Sequence, residues 1–217
     1  MKLVACADAL LKADAPERLV AEVPGRRLVL MLIVAGFFYG AVMGSSTLRP
    51  LQVLYSGLKV PILLSASSLV CLPNFFVVNT ILGLREDFPT VVRGLVSTQL
   101  TMALVLASLS PLTAVAYLSS GDYHFAVVFN GLMFFVASVV SHVQLGRVYA
   151  PLIRERPRHR VCKVVWLTLY IFVTIQLAWM LRPFIGAPSL PPSFFREGIW
   201  DNAYVVVFRD LWTLLTK

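Results

Sequence analysis

Five stretches of the chain, residues 28–44, 60–82, 94–117, 125–143 and 164–181, are almost continuously apolar and contain no Asp, Glu, Lys or Arg. They run from 17 to 24 residues, and a helix needs roughly 20 apolar residues to cross a hydrocarbon core about 30 Å thick. Runs of this length, separated by charged connections, predict an all-α fold, a polytopic transmembrane bundle of five spans. Two other segments read as interfacial helices. Residues 46–59, STLRPLQVLYSGLK, place Leu48, Leu51, Leu54, Tyr55 and Leu58 at helical spacing, with Arg49, Gln52 and Lys59 elsewhere around the helix. Residues 203–215, AYVVVFRDLWTLL, are too short to span and carry Arg209-Asp210 in their middle. Both patterns suit amphipathic helices lying in the membrane plane. Between the last span and that tail, residues 182–200, RPFIGAPSLPPSFFREGIW, hold four prolines and read as an ordered, non-helical crossing over the outer face of the bundle. Residues 1–27 read as a cytoplasmic amphipathic segment that reaches the membrane surface at Arg26-Arg27, with no cleavable signal peptide apparent.

Composition agrees with this picture, with 58% apolar and 14% charged residues and a mean hydropathy of +0.79, outside the range of soluble domains. The distribution of charge sets the orientation. With five spans, 13 Lys and Arg fall on the side of the N-terminus and 6 on the other. The richer side is expected in the cytoplasm, placing the N-terminus inside and the C-terminus outside, in the cell (inner) membrane if the source is bacterial. The net charge of +8 is therefore read as a topology signal beside a bilayer and not as a nucleic-acid surface.

Three constellations are candidates for packing or function. Gly36, Gly40 and Gly44 make two overlapping GxxxG steps on one face of the first span, where backbones can approach closely, either within the bundle or in a homo-oligomer. The intramembrane polar residues Asn79, Gln99, Thr101, Asn130 and Gln176 need hydrogen-bond partners in hydrocarbon and should face the bundle interior. Pro73 and Pro111 are expected to kink their spans and free carbonyls for these groups. Amides paired in a dry core would make them structural glue. Asn79, Gln99, Thr101 and Asn130 around one water-filled cavity would instead make a small channel or facilitator for a neutral or weakly polar solute. The basic loop with Arg154, Arg156, Arg158, Arg160 and Lys163 is a topology signal that could also contact anionic lipid headgroups or an acidic partner.

Other chemistry lacks its residues. The three cysteines, Cys6, Cys71 and Cys162, form no CxxC pair, and Cys6 has no apolar region before it that would make a lipoprotein signal. His124, His142 and His159 make no HExxH and have no metal-ligand spacing. No GxSxG or glycine-rich phosphate loop occurs, the spans hold no paired carboxylates, and no ionisable residue lies in the core of a span, where coupled transporters place them. Neither a catalytic activity nor a cofactor is expected.

The join of the second and third spans, ILGLREDFPTVVRGLVSTQLTMALVLASLSPLT, resembles a stretch of the Yip1 family. Leu82-Gly83, Phe88 and Ser110-Pro111 match its short loop and its small-residue-plus-proline motif, and five spans with a cytoplasmic N-terminus also agree over residues 28–181. The acidic Asp-Leu-Gly-Pro entry of eukaryotic members is absent. The resemblance implies a non-enzymatic membrane protein that engages partners, in eukaryotes small GTPases and transport vesicles. The expected partners are membrane lipids and another membrane protein or a second copy.

Overall fold

A computed structural model describes residues 24–187, 189–196, 204, 205 and 212. Its described part is helical, with five helices long and apolar enough to cross a membrane. They are α1 (Gly25–Gly44), α2 (Pro50–Ile81), α3 (Phe88–Ser119), α4 (Tyr123–Glu155) and α5 (His159–Leu181). The expected amphipathic segment 1–27 lies outside the described residues except for its last four. So does the tail helix 203–215, apart from Tyr204, Val205 and Trp212.

Local chemistry sets the helix ends. A 3-10 turn, Ser45–Thr47, follows α1, Leu48 takes a left-handed φ of 51°, and Pro50 opens α2 at a position that needs no N–H. After α2, Gly83 turns the chain at φ 73°, while its N–H and that of Leu84 return to the Thr80 and Asn79 carbonyls. The Asp122 carboxylate caps α4 by accepting from the His124 and Phe125 N–H groups. Pro61, Pro73, Pro111 and Pro151 all lie inside helices that continue through them.

One expectation fails here. Residues 46–59 do not form a separate interfacial helix: Pro50–Lys59 is the first third of α2. It packs beside α1, with Gly44 against Gln52 and Ser56, Gly40 against Ser56, and Gly36 against Pro61. Its polar residues Gln52, Ser56 and Lys59 are buried, and Leu51, Leu54 and Leu58 face outward. In lipid the stable arrangement is apolar side out, so the amphipathic pattern is used in the reverse sense to a water-facing helix.

The helices form an arc in the order α5, α2, α1, α3, α4, whose two ends, α4 and α5, touch little. One buried cluster joins α1 to α2, α3 and α4 around Tyr39, Leu64, Leu100 and Leu106. A second joins α2, α3, α4 and α5 around Phe75, Leu95, Tyr149 and Trp166. Opposite ends of the bundle differ in charge. One carries Arg26, Arg27 and the α2–α3 and α4–α5 loops. The other carries the α1–α2 and α3–α4 connections, and residues 182–187 and 189–196, which follow α5 without a regular element, cross it as a strap.

Candidate functional site

The glycine face of α1 is covered by α2 of the same chain. A Cβ at Gly40 would stand 2.3 Å from the Ser56 carbonyl oxygen, and one at Gly44 would stand 2.8 Å from that of Gln52. No room remains on this face for a second copy.

The polar residues of the spans are distributed over the bundle. Asn130 accepts from the Tyr39 hydroxyl at 2.9 Å and donates to the Tyr117 hydroxyl and the Ala126 carbonyl. Gln99 accepts from the Tyr170 hydroxyl at 2.9 Å. Asn79 donates to the Phe75 carbonyl and accepts a long contact from the Cys162 thiol. Thr101 donates to the Ser97 carbonyl one turn back, and Gln176 is half-buried on α5. These amides serve three separate junctions: Asn130 joins α1, α3 and α4, Gln99 joins α3 to α5, and Asn79 joins α2 to α5. Of the four residues considered for a channel wall, only Asn130 lines the cavity of about 490 Å³ between α4 and α5.

At the basic end, the two hairpin loops are tied through Asp87. Its carboxylate accepts from Arg156 at 3.2 Å and from His159 at 3.0 Å, and Arg158 donates to the Leu82 carbonyl. His159 is buried at 1% exposure, although its sequence position suggested a solvated loop. Arg154 and Arg160 remain exposed and Lys163 is half-buried. Part of the basic cluster is thus structural, linking α2–α3 to α4–α5, and the remainder faces solvent. Among the described residues no group of His, Cys, Asp or Glu could hold a metal ion.

The feature that sequence reading did not find lies at the other end, in the gap between α4 and α5. A cavity of about 490 Å³ is walled by Tyr123, Val127, Asn130, Gly131 and Phe134 of α4 and by Thr174, Ile175 and Ala178 of α5. Met43 and Leu63 close its back, and the strap closes its end with Arg182, Pro183, Phe184, Ile185 and Arg196. Val127, Gly131 and Ile175 are exposed, so the mouth opens sideways between two spans.

A polar stripe on α2 holds the strap in place. Arg49 donates to the Leu190 carbonyl at 2.6 Å, Gln52 and Ser56 both donate to the Phe184 carbonyl, and Lys59 donates to the Pro183 carbonyl at 2.6 Å. Spacings of 3, 7 and 10 from Arg49 put these side chains along one helical face. Lys59 is fully buried, with the Phe194 ring 4.9 Å from its ammonium, and Arg182 stacks on the Trp179 ring at 3.4 Å. The spacing of those four polar residues was the available signal. What it could not reveal was that the non-helical crossing expected after the last span is their partner, because that segment contributes backbone carbonyls, which leave no mark in the sequence.

These elements define a multi-pass α-helical membrane protein. Comparison with known proteins gave no match to a family model, to a curated protein or to a solved structure.

Proposed function

We propose that this chain is a non-enzymatic integral membrane protein that acts through lipid contacts, with the α4–α5 cavity as its working site. It sits with its N-terminus and basic loops in the cytoplasm and is Yip1-like in organisation. The observation that carries this reading is an apolar cavity whose mouth opens between two spans. Its volume of about 490 Å³ falls within the range of about 300–1,000 Å³ usual for small-molecule sites. A ligand reaching such a mouth comes from the bilayer, and that favours a lipid over a water-soluble solute. The pairing of Asn79, Gln99 and Asn130 at separate helix junctions supports a packed scaffold around this site over a continuous polar path.

Gly131→Trp provides the test. Gly131 lines the cavity and a Cβ there meets nothing within 4 Å, so a side chain can start at this position without a backbone clash and an indole takes up ligand space. Protein purified in mild detergent should retain an apolar ligand in near-stoichiometric amount, detected by native mass spectrometry, and the Trp variant should lose it while melting as the wild type does. Equal retention by both proteins would refute the reading.

A further inference from the structure

The seam between α4 and α5 has two ends, and the one opposite the cavity gathers cations. Lys163 reaches across from α5, its ammonium 3.5 Å from where a Cβ would stand on Gly146 of α4. Arg147 is the next residue of α4, and Arg160 lies one turn before Lys163 on α5. Arg147 and Arg160 are exposed and Lys163 is half-buried. Among the described residues no acidic side chain pairs with any of the three. The described carboxylates at this end are engaged elsewhere. Glu86 and Asp87 meet Arg156 and His159, and Glu155 lines the cleft beside the α2–α3 turn. We infer that this end of the seam is a binding site for the headgroup of an anionic glycerophospholipid, held between Arg147 of α4 and Arg160 and Lys163 of α5. The site is separate from the cavity and does not depend on what occupies it.

Depth selects a lipid as the occupant. The charge-free run of α4 ends at Val143 and that of α5 begins at Val164. At about 1.5 Å per residue, Arg147 and Arg160 stand about 6 Å beyond those limits, and Lys163 about 1.5 Å. The polar layer on each side of a bilayer is about 5–7 Å deep, so all three cations sit among headgroups. Arg154, about 16 Å beyond Val143, lies past that layer. A phospholipid phosphate is already at the level of the three cations, whereas a soluble anion has to enter the layer to meet them. Cations held together there repel one another, and salt screens partly buried charges less than exposed ones. Phosphate oxygens accept from Arg and Lys and relieve that repulsion. A zwitterionic headgroup returns an ammonium to the cluster and loses much of the gain. Directly beneath, Val143 and Val164 are 53% and 58% exposed and give the acyl chains an apolar surface.

The test uses the full chain in nanodiscs of equal parts phosphatidylglycerol and phosphatidylcholine with identical acyl chains. Lipid kept on extraction into mild detergent is counted by native mass spectrometry. The wild type should keep phosphatidylglycerol over phosphatidylcholine by about tenfold, and Arg147→Gln, Arg160→Gln or Lys163→Gln should each lower that ratio about fivefold while melting normally. Lys163→Arg should preserve the ratio, and so should Arg154→Gln and Gly131→Trp. Equal retention of the two lipids by the wild type would overturn the site. If polyglutamate then binds the protein and Lys163→Gln abolishes that binding, the cations serve an acidic protein instead. A loss in Arg154→Gln as large as in Lys163→Gln would overturn the seam site in favour of a diffuse basic field. Loss of the preference in Gly131→Trp would place the retained lipid in the cavity, which also overturns the site while leaving the proposed function standing.

Discussion

Gly40→Ala adds a single methyl group, and the geometry of the α1–α2 seam predicts its cost. The new Cβ would lie 2.3 Å from the Ser56 carbonyl oxygen and 2.9 Å from the Gly57 Cα. Both are backbone atoms, so no side chain can swing aside, and α2 must retreat by about 1 Å to restore ordinary contact. A gap of that size forfeits a third to a half of each dispersion contact along the seam. On the order of 40 atom pairs at about 0.15 kcal/mol each then lose about 2–3 kcal/mol together. Alanine returns up to about 1 kcal/mol through its better helix propensity, leaving a net loss of about 1–2 kcal/mol. The same substitution at Gly131, where a Cβ meets nothing, keeps only the gain and should be neutral or stabilising. Gly36→Ala, with its Cβ 3.4 Å from Pro61, should fall between the two. Thermal unfolding in one detergent orders the series: Gly40→Ala lowest, then Gly36→Ala, then Gly131→Ala. If Gly40→Ala melts at or above the wild type, α1 and α2 are not in backbone contact at this point and the seam is wrongly described.

Three other predictions address the remaining junctions and the orientation. Tyr39→Phe, Asn130→Leu and the double variant should give a coupling energy of about 0.6–2 kcal/mol by unfolding in detergent, and a value near zero would mean that the 2.9 Å hydrogen bond between them does not persist. Asp87→Ala removes the acceptor of both Arg156 and His159. It should cost about 1–2 kcal/mol, after allowance for its partial exposure, and speed tryptic cleavage in the 154–160 loop; unchanged cleavage would show that the two loops are held by other contacts. In a background lacking the native cysteines, Arg160→Cys should escape an impermeant thiol reagent in intact cells while Ser189→Cys reacts, and the opposite pattern would reverse the proposed orientation.

The number and type of the helices were legible because the bilayer allows few alternatives. Uncharged runs of 17 to 24 residues can cross only as helices when every backbone group must be satisfied within the segment. Their ends were less legible. The expected spans 60–82 and 125–143 become Pro50–Ile81 and Tyr123–Glu155, since helices do not stop where hydrophobicity does. Arg147 and Arg154 sit comfortably on the part of α4 beyond the apolar run. The glycine spacing on α1 predicted close approach, and its partner, the Ser56–Gly57 pair, carries the complementary small residues on a helix whose start was misplaced by ten residues.

The way residues 46–59 use their two faces explains why the cavity is not legible in the sequence. Periodicity reports that a helix has a polar face and an apolar face but not which medium each one meets. An interfacial helix would turn Arg49, Gln52 and Lys59 to water and bury Leu51, Leu54 and Leu58 in the membrane. In the bundle the leucines face outward, Gln52, Ser56 and Lys59 are buried inside and Arg49 is half-buried at the edge, so the polar side of the helix requires partners from the protein. Those partners are the carbonyls of Pro183, Phe184 and Leu190, carried by a segment whose prolines and lack of regular structure leave carbonyls unpaired. The two anomalies in the sequence, a polar stripe beside a span and a proline-rich stretch after one, satisfy each other. Their junction places Pro183 and Phe184 across the gap between α4 and α5. The cavity therefore arises where a helix and a strap complete one another's hydrogen bonds, and its walls come from five separate parts of the chain.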